Sequence, residues 1–322
     1  MTRSNIILNF LRKIHTLLFP RVELQSIHGI DDLKVDFYKQ DASDLIKEYI
    51  LKGVPFAVGR LGTELYTLLN YKEVNLPKLE FYYKYITKQL YYKVWDQKTI
   101  DVLCKFTGFF PPKIEEVEKF SALMIRELQN VDIWGCFSTI EKQFKEELEH
   151  TIKIQLADID PILHRNPWTI ALAGKKVLVI HPFEKSIISQ YKKREYLFEN
   201  KQILPKFKLR TIEAIQTIAN SKTEYKDWFE ALDFMKRKID MTDFDVALIG
   251  CGAYSLPLTT YIKSIGKSAI YLGGGTQILF GIIGNRWESM PEIAKLINEY
   301  WVRPLPEETP DDSISIEGGC YW

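Results

Sequence analysis

The chain has almost no net charge. Across 322 residues, 43 lysines and arginines stand against 42 aspartates and glutamates, leaving +1 with neutral histidines. A nucleic-acid binder carries a basic excess that neutralises phosphates, so nucleic acid is not an expected partner. Disorder needs low hydrophobicity and high net charge; a hydrophobic content of 46% with this charge balance is the opposite. Cysteine is scarce: Cys104, Cys136, Cys251 and Cys320 are far apart, which excludes a C-x-x-C zinc pair. Free thiols in a reducing, cytoplasmic compartment are the expectation. No apolar run reaches the ~18 residues of a transmembrane helix. Repeats and low-complexity segments are also missing. The length suits one large or two ordinary domains, and such a chain buries enough surface to fold without disulfides.

What the chain does have is alternation. Short apolar runs at Val54–Val58, Val131–Phe137, Lys176–Ile180, Leu209–Ile215, Asp245–Ile249 and Ser268–Leu272 read as strands. Helical patterns lie between them: Thr63–Asn70, most of 78–128, 138–165 capped by Ser138, the segment after His181, 224–240, and Tyr254–Ile265 closed by Gly266. Strand–helix alternation of this kind predicts an α/β fold, a Rossmann-like open and mostly parallel sheet flanked by helices. The predicted organisation is an N-terminal extension over 1–30 and a single α/β domain over 31–322, with a helical insertion at about 78–128.

The extension has its own pattern. Ile6, Ile7, Phe10, Leu11, Ile14, Leu17 and Leu18 recur at helical spacing among Arg3, Arg12, Lys13 and His15. Two readings stand: a basic amphipathic helix on an anionic membrane surface, or a helix docked on its own domain or a partner. The first gives peripheral membrane contact through residues 3–19, at the inner face of the membrane.

In an open parallel sheet, ligands bind beyond the carboxyl ends of the strands. The residues there form an unusual set: Gly59-Arg60-Leu61-Gly62, His181-Pro182, Gly250-Cys251-Gly252 and Gly273-Gly274-Gly275-Thr276. Glycines at strand ends let backbone approach a ligand and place N–H groups at helix starts, which suits phosphate. Arg60, Gly62, Lys185, Gly250, Gly252, Tyr254, Gly273, Gly274, Gly275, Thr276 and Gln277 are therefore candidates for a nucleotide or its phosphates. Glu64 and His181 are the candidate catalytic groups, with Glu64 also the candidate metal ligand. Each feature has a plainer reading: tight strand–helix turns for the glycines, a helix cap for Glu64, a core group for His181, and a solvated helix face for Lys185, Gln190, Lys193 and Arg194. The Tyr/Lys-rich run from Tyr82 to Lys93 reads as an acceptor groove, a protein interface or a solvated face.

The block Arg60-Leu61-Gly62-Thr63-Glu64 resembles the Arg-aromatic-Gly-Asp-x-Glu block of the GT-D-fold glycosyltransferases. The stretches Gly250–Leu258, Leu272–Gly281 and Glu317–Trp322 resemble bacterial members of that fold from polysaccharide biosynthesis. The likeness runs from about Val54 to Trp322 and is strongest after Lys175. It implies a Rossmann-like domain that moves a sugar from a nucleotide-sugar donor to a glycan or lipid-linked acceptor, with a divalent metal (Mn or Mg) on an Asp-x-Glu motif. Glu64 matches the motif glutamate. The aspartate has no counterpart, because the block is one residue shorter and has Gly62 and Thr63 there.

Three functions are thus expected in order: a glycosyltransferase of surface-glycan or capsule assembly, a non-catalytic nucleotide- or glycan-binding partner in a biosynthetic complex, and an S-adenosylmethionine methyltransferase. The last needs an acid at the end of the strand after Gly252, and that strand ends in Gly273 instead.

Overall fold

A computed structural model describes residues 3–19 and 34–322. Of the predicted N-terminal extension, residues 1, 2 and 20–30 lie outside the described residues. Seven strands are present: β1 (Ala57–Gly59), β2 (Ile133–Cys136), β3 (Ile152–Gln155), β4 (Lys176–His181), β5 (Lys208–Glu213), β6 (Val246–Ile249) and β7 (Ser268–Tyr271). They form one sheet in the order β3-β2-β1-β7-β6-β4-β5, and every pairing is parallel. The Rossmann-like α/β expectation holds, with a wholly parallel sheet.

Each inner strand is buried on both faces, as parallel sheets require. Residues alternate between two cores. Leu178 and Ile180 of β4 and Ala247 and Ile249 of β6 face one core. Val177, Val179, Val246 and Leu248 face the other. The edges behave differently: β5 leaves Lys208 and Arg210 exposed or half-exposed, which blunts a free strand edge.

Thirteen helices flank the sheet among the described residues: α1 (Arg3–Leu18), α2 (Gln40–Lys52), α3 (Glu64–Val74), α4 (Lys78–Ile86), α5 (Gln97–Thr107), α6 (Ile114–Leu128), α7 (Glu184–Tyr191), α8 (Arg194–Leu197), α9 (Trp228–Asp240), α10 (Ser255–Ser264), α11 (Gly275–Leu279), α12 (Asn285–Glu288) and α13 (Pro291–Ala294). Helices α3, α5, α6, α9 and α10 cover the first core. Helices α2, α7, α8 and α11 to α13 cover the second. No helix among the described residues is long and apolar enough to cross a membrane.

Two expectations fail. The first strand starts at Ala57 rather than Val54; Pro55 has no N–H to give a ladder. The predicted helix over 138–165 does not exist. Ser138 does cap a turn, accepting from the Ile140 N–H at 3.3 Å, but the turn ends at Phe144 and β3 follows at Ile152. Thr151, Ile152 and Ile154 carry β-branched side chains, two of them at strand spacing, and Pro161 cannot sit inside a continuous α-helix because it has no N–H to give. This error hid an important residue.

Candidate functional site

All seven strands end at one cleft of about 570 Å³. Arg60, Gly62 and Glu64 follow β1; Cys136 and Phe137 close β2; Gln155 ends β3, and Leu156, Ala157, Ile159 and Asp160 follow it. His181 ends β4, Ile215 to Ile218 follow β5, Gly250 to Gly252 and Tyr254 follow β6, and Tyr271 to Gly275 close β7. The chain end supplies a further wall through Arg286, Trp287, Tyr321 and Trp322. Of the residues singled out from sequence, Arg60, Gly62, Glu64, His181, Gly250, Gly252, Tyr254, Gly273, Gly274, Gly275 and Gln277 line this cleft.

Arg60 is the unusual group. Its guanidinium lies over the Tyr271 ring at 5.5 Å. It makes no ion pair or hydrogen bond with any described residue, and its Nε is buried without a partner. A half-buried guanidinium has five N–H donors that normally find acceptors. An arginine without acceptors on the wall of a cleft suits an anion.

Two carboxyls lie within the field of that cation. Burial pushes Glu64 above the usual carboxylate range, against the backbone N–H groups and Arg60 that hold it down. Its Oε2 accepts from the Gly62 N–H at 2.8 Å, so it also closes the turn into α3. Asp160 was missed by the sequence reading. Burial pushes its carboxyl up to about 7, with Arg60 opposing, and its Oδ1 has no partner among the described residues. A Cβ on Gly275 would come within 2.7 Å of that oxygen, so the third glycine of the run makes room for Asp160. The Asp160-Pro161 pair was the available signal, since Asp-Pro marks a turn rather than a helix.

His181 is neutral and fixed. Its Nδ1 accepts from the Phe183 N–H at 3.0 Å, and burial pushes its pKa down to about 3. The ring proton therefore sits on Nε2. This corrects the expectation of His181 as a base: a nitrogen that already holds a proton cannot take one from an acceptor.

Four other candidates take their places as follows. Lys185 is exposed, lies outside the cleft lining and pairs with Glu307 at 3.4 Å. Thr276 lies beneath the cleft, fully buried, its Oγ1 against Gly250. Gln277 lines the cleft but gives its amide donors to Ile282 O at 3.2 Å and Tyr321 O at 3.1 Å, tying α11 to the chain end. The Tyr82–Lys93 run contributes nothing to the cleft; Tyr85 is buried, and the Tyr91 and Tyr92 N–H groups bond Glu73.

The glycines also divide. Gly250 and Gly252 answer to packing: their Cβ atoms would reach Gly273 O at 2.4 Å and Thr107 O at 2.5 Å. At Gly252 the backbone is also left-handed, at φ +60. Gly252→Ala combines that strain with a clash against backbone, so it should cost more than ~2 kcal/mol, read as a lowered midpoint in denaturant. Gly273 and Gly274 face the cleft, and the Gly274 and Gly275 N–H groups, opening α11, have no intrahelical acceptor.

No group of three His, Cys, Asp or Glu among the described residues is arranged to hold a metal ion. Glu64 has one oxygen committed to the Gly62 N–H. The positive charge beside both carboxyls is already supplied by Arg60.

Compared with known proteins, the chain matches no family model, no curated protein and no solved structure.

Proposed function

We propose that the cleft binds a nucleotide-sugar and transfers its sugar to an acceptor hydroxyl, without a metal in the protein's own site. The reading rests on Arg60, a guanidinium with no hydrogen-bond or ion-pair partner among the described residues, at the carboxyl ends of parallel strands. Guanidinium binds diphosphate through paired N–H···O bonds, and the glycine turn at 273–275 brings backbone N–H groups to the same cleft.

The chemistry divides among three residues. Asp160 takes the proton of the acceptor hydroxyl as its oxygen attacks the anomeric carbon; a carboxyl near 7 is suited to that exchange. The bond from that carbon to the diphosphate breaks, and its electron pair leaves with the diphosphate. Arg60 balances the charge that develops there. His181 Nε2–H donates to a ligand oxygen without changing charge. Glu64 holds the turn that carries Arg60. The resemblance to GT-D glycosyltransferases supports a sugar as the transferred group and surface-glycan assembly as its setting.

A titration of nucleoside diphosphates and nucleotide-sugars, followed by thermal shift and calorimetry with and without Mn²⁺, tests this. One base should bind in the ~1 µM to 1 mM range usual for substrates, with metal giving little gain. No binding by any of them at millimolar concentration sinks the proposal.

A further inference from the structure

Helix α1 is packed inside out. Its polar side faces the protein: Arg12 donates to Tyr85 O at 2.9 Å and lies over the Tyr85 ring, and the Tyr85 hydroxyl bonds Asn9. Its apolar stripe faces outward. Ile7, Phe10, Leu11, Ile14, Leu17 and Leu18 recur along one side, and all are exposed; Phe10 is 61% and Leu17 81% exposed. An ordinary surface helix does the reverse, burying its apolar stripe and solvating its polar one. Helix α1 is anchored by polar contacts so that six large hydrophobic side chains stay out of the core.

Charge indicates what covers them. Residues 7–18 contain Arg12 and Lys13 and no acid. The neighbouring run 78–93, whose Tyr85 receives α1, adds Lys78, Lys84, Lys88 and Lys93 against Glu80 alone; Lys84 pairs with Glu80 at 2.7 Å and Lys93 lies over the Tyr85 ring. That surplus sits in a chain whose net charge is only +1. Helix α4 also presents Leu79 and Tyr83 as exposed apolar groups. An exposed apolar stripe on a helix that packs against a lysine-rich neighbour matches a bilayer with anionic headgroups, where long lysines cover apolar surface while reaching phosphate.

We propose that the protein docks on an anionic lipid surface through α1, with Ile7, Phe10, Leu11, Ile14, Leu17 and Leu18 in the headgroup–acyl boundary and the lysines of α4 and its following loop on the headgroups. This is independent of the transfer chemistry proposed for the cleft. A second copy of the chain would bring two basic surfaces together, which disfavours self-association at this face.

The test is co-flotation of the full-length protein with vesicles of phosphatidylcholine alone or with about 30% phosphatidylglycerol. Recovery should require the anionic lipid and fall as salt is raised from about 0.05 to 0.5 M. The double variant Phe10→Glu/Leu17→Glu should lose at least about tenfold in partitioning while melting at the wild-type temperature, since both side chains are exposed. Lys13→Glu should lose less. Equal recovery of wild type and the double variant, or no recovery on anionic vesicles, overturns the proposal. So does a concentration-dependent dimer that the double variant breaks in the absence of vesicle binding, because the face would then belong to a second copy.

Discussion

Arg60→Ala should weaken nucleoside diphosphate binding by about 10²- to 10³-fold, the loss of a bidentate charged contact in a partly desolvated site. Arg60→Lys keeps the charge but not the fork, and should fall between wild type and alanine. Calorimetry reads both. The fold should tolerate the alanine variant, because Arg60 gives no hydrogen bond or ion pair to any described residue. A second readout comes from Asp160. Arg60 is the only charge opposing the burial that raises that carboxyl, so its removal should move the acid limb of the pH–rate profile to higher pH. Unchanged affinity in the alanine variant would remove the basis of the proposed function.

Asp160→Asn should lower kcat by about 10²- to 10⁴-fold, the usual worth of a general base. To act as the base, wild-type Asp160 must be ionised, so kcat/KM should rise with pH through about 7 and level off above it. The variant should lose that limb. Stability should move the other way. The folded carboxyl titrates near 7, above its ordinary 3.8, so the folded state holds the proton more tightly than the unfolded chain. The resulting stabilisation is present below about pH 4 and is lost as pH rises through 7. At pH 8 the variant should therefore melt higher than wild type, by an amount corresponding to up to a few kcal/mol, and the two should converge near pH 4. A variant that is equally active, or less stable at pH 8, would show that Asp160 is neither the base nor a strained group.

The central strands were readable for a physical reason. β4, β6 and β7 are buried on both faces, so they appear as short apolar runs with a histidine or glycines where the cleft begins. β3 is an edge strand with only Ile154 fully buried, and its Ile152-Lys153-Ile154-Gln155 sits after an acidic segment that mimics a helix surface. Losing β3 meant losing Asp160, which follows it. The roles within the cleft were harder to read than its location. Lys185 follows a strand end in sequence, yet α7 turns it toward Glu307. Gly250 and Gly252 look like a phosphate turn, but the backbone of Gly273 and Thr107 already fills the space they leave. Which nitrogen of His181 bears the proton depended on the Phe183 N–H, a contact no spacing encodes.

The seam between β1 and β7 has a consequence for how the molecule is made. Ala57 pairs with Ala269, and Val58 with Ile270, so the middle of the sheet closes only after nearly the whole chain is available. Until then β1 is an unpaired edge beside finished β2 and β3, a template for wrong pairing. Arg60 and the Gly273 turn stand on the two sides of that seam. A ligand that bridges them would bind only the closed chain and would stabilise it by mass action. Supplying such a ligand during expression or refolding would favour native molecules over those trapped with an open β1 edge.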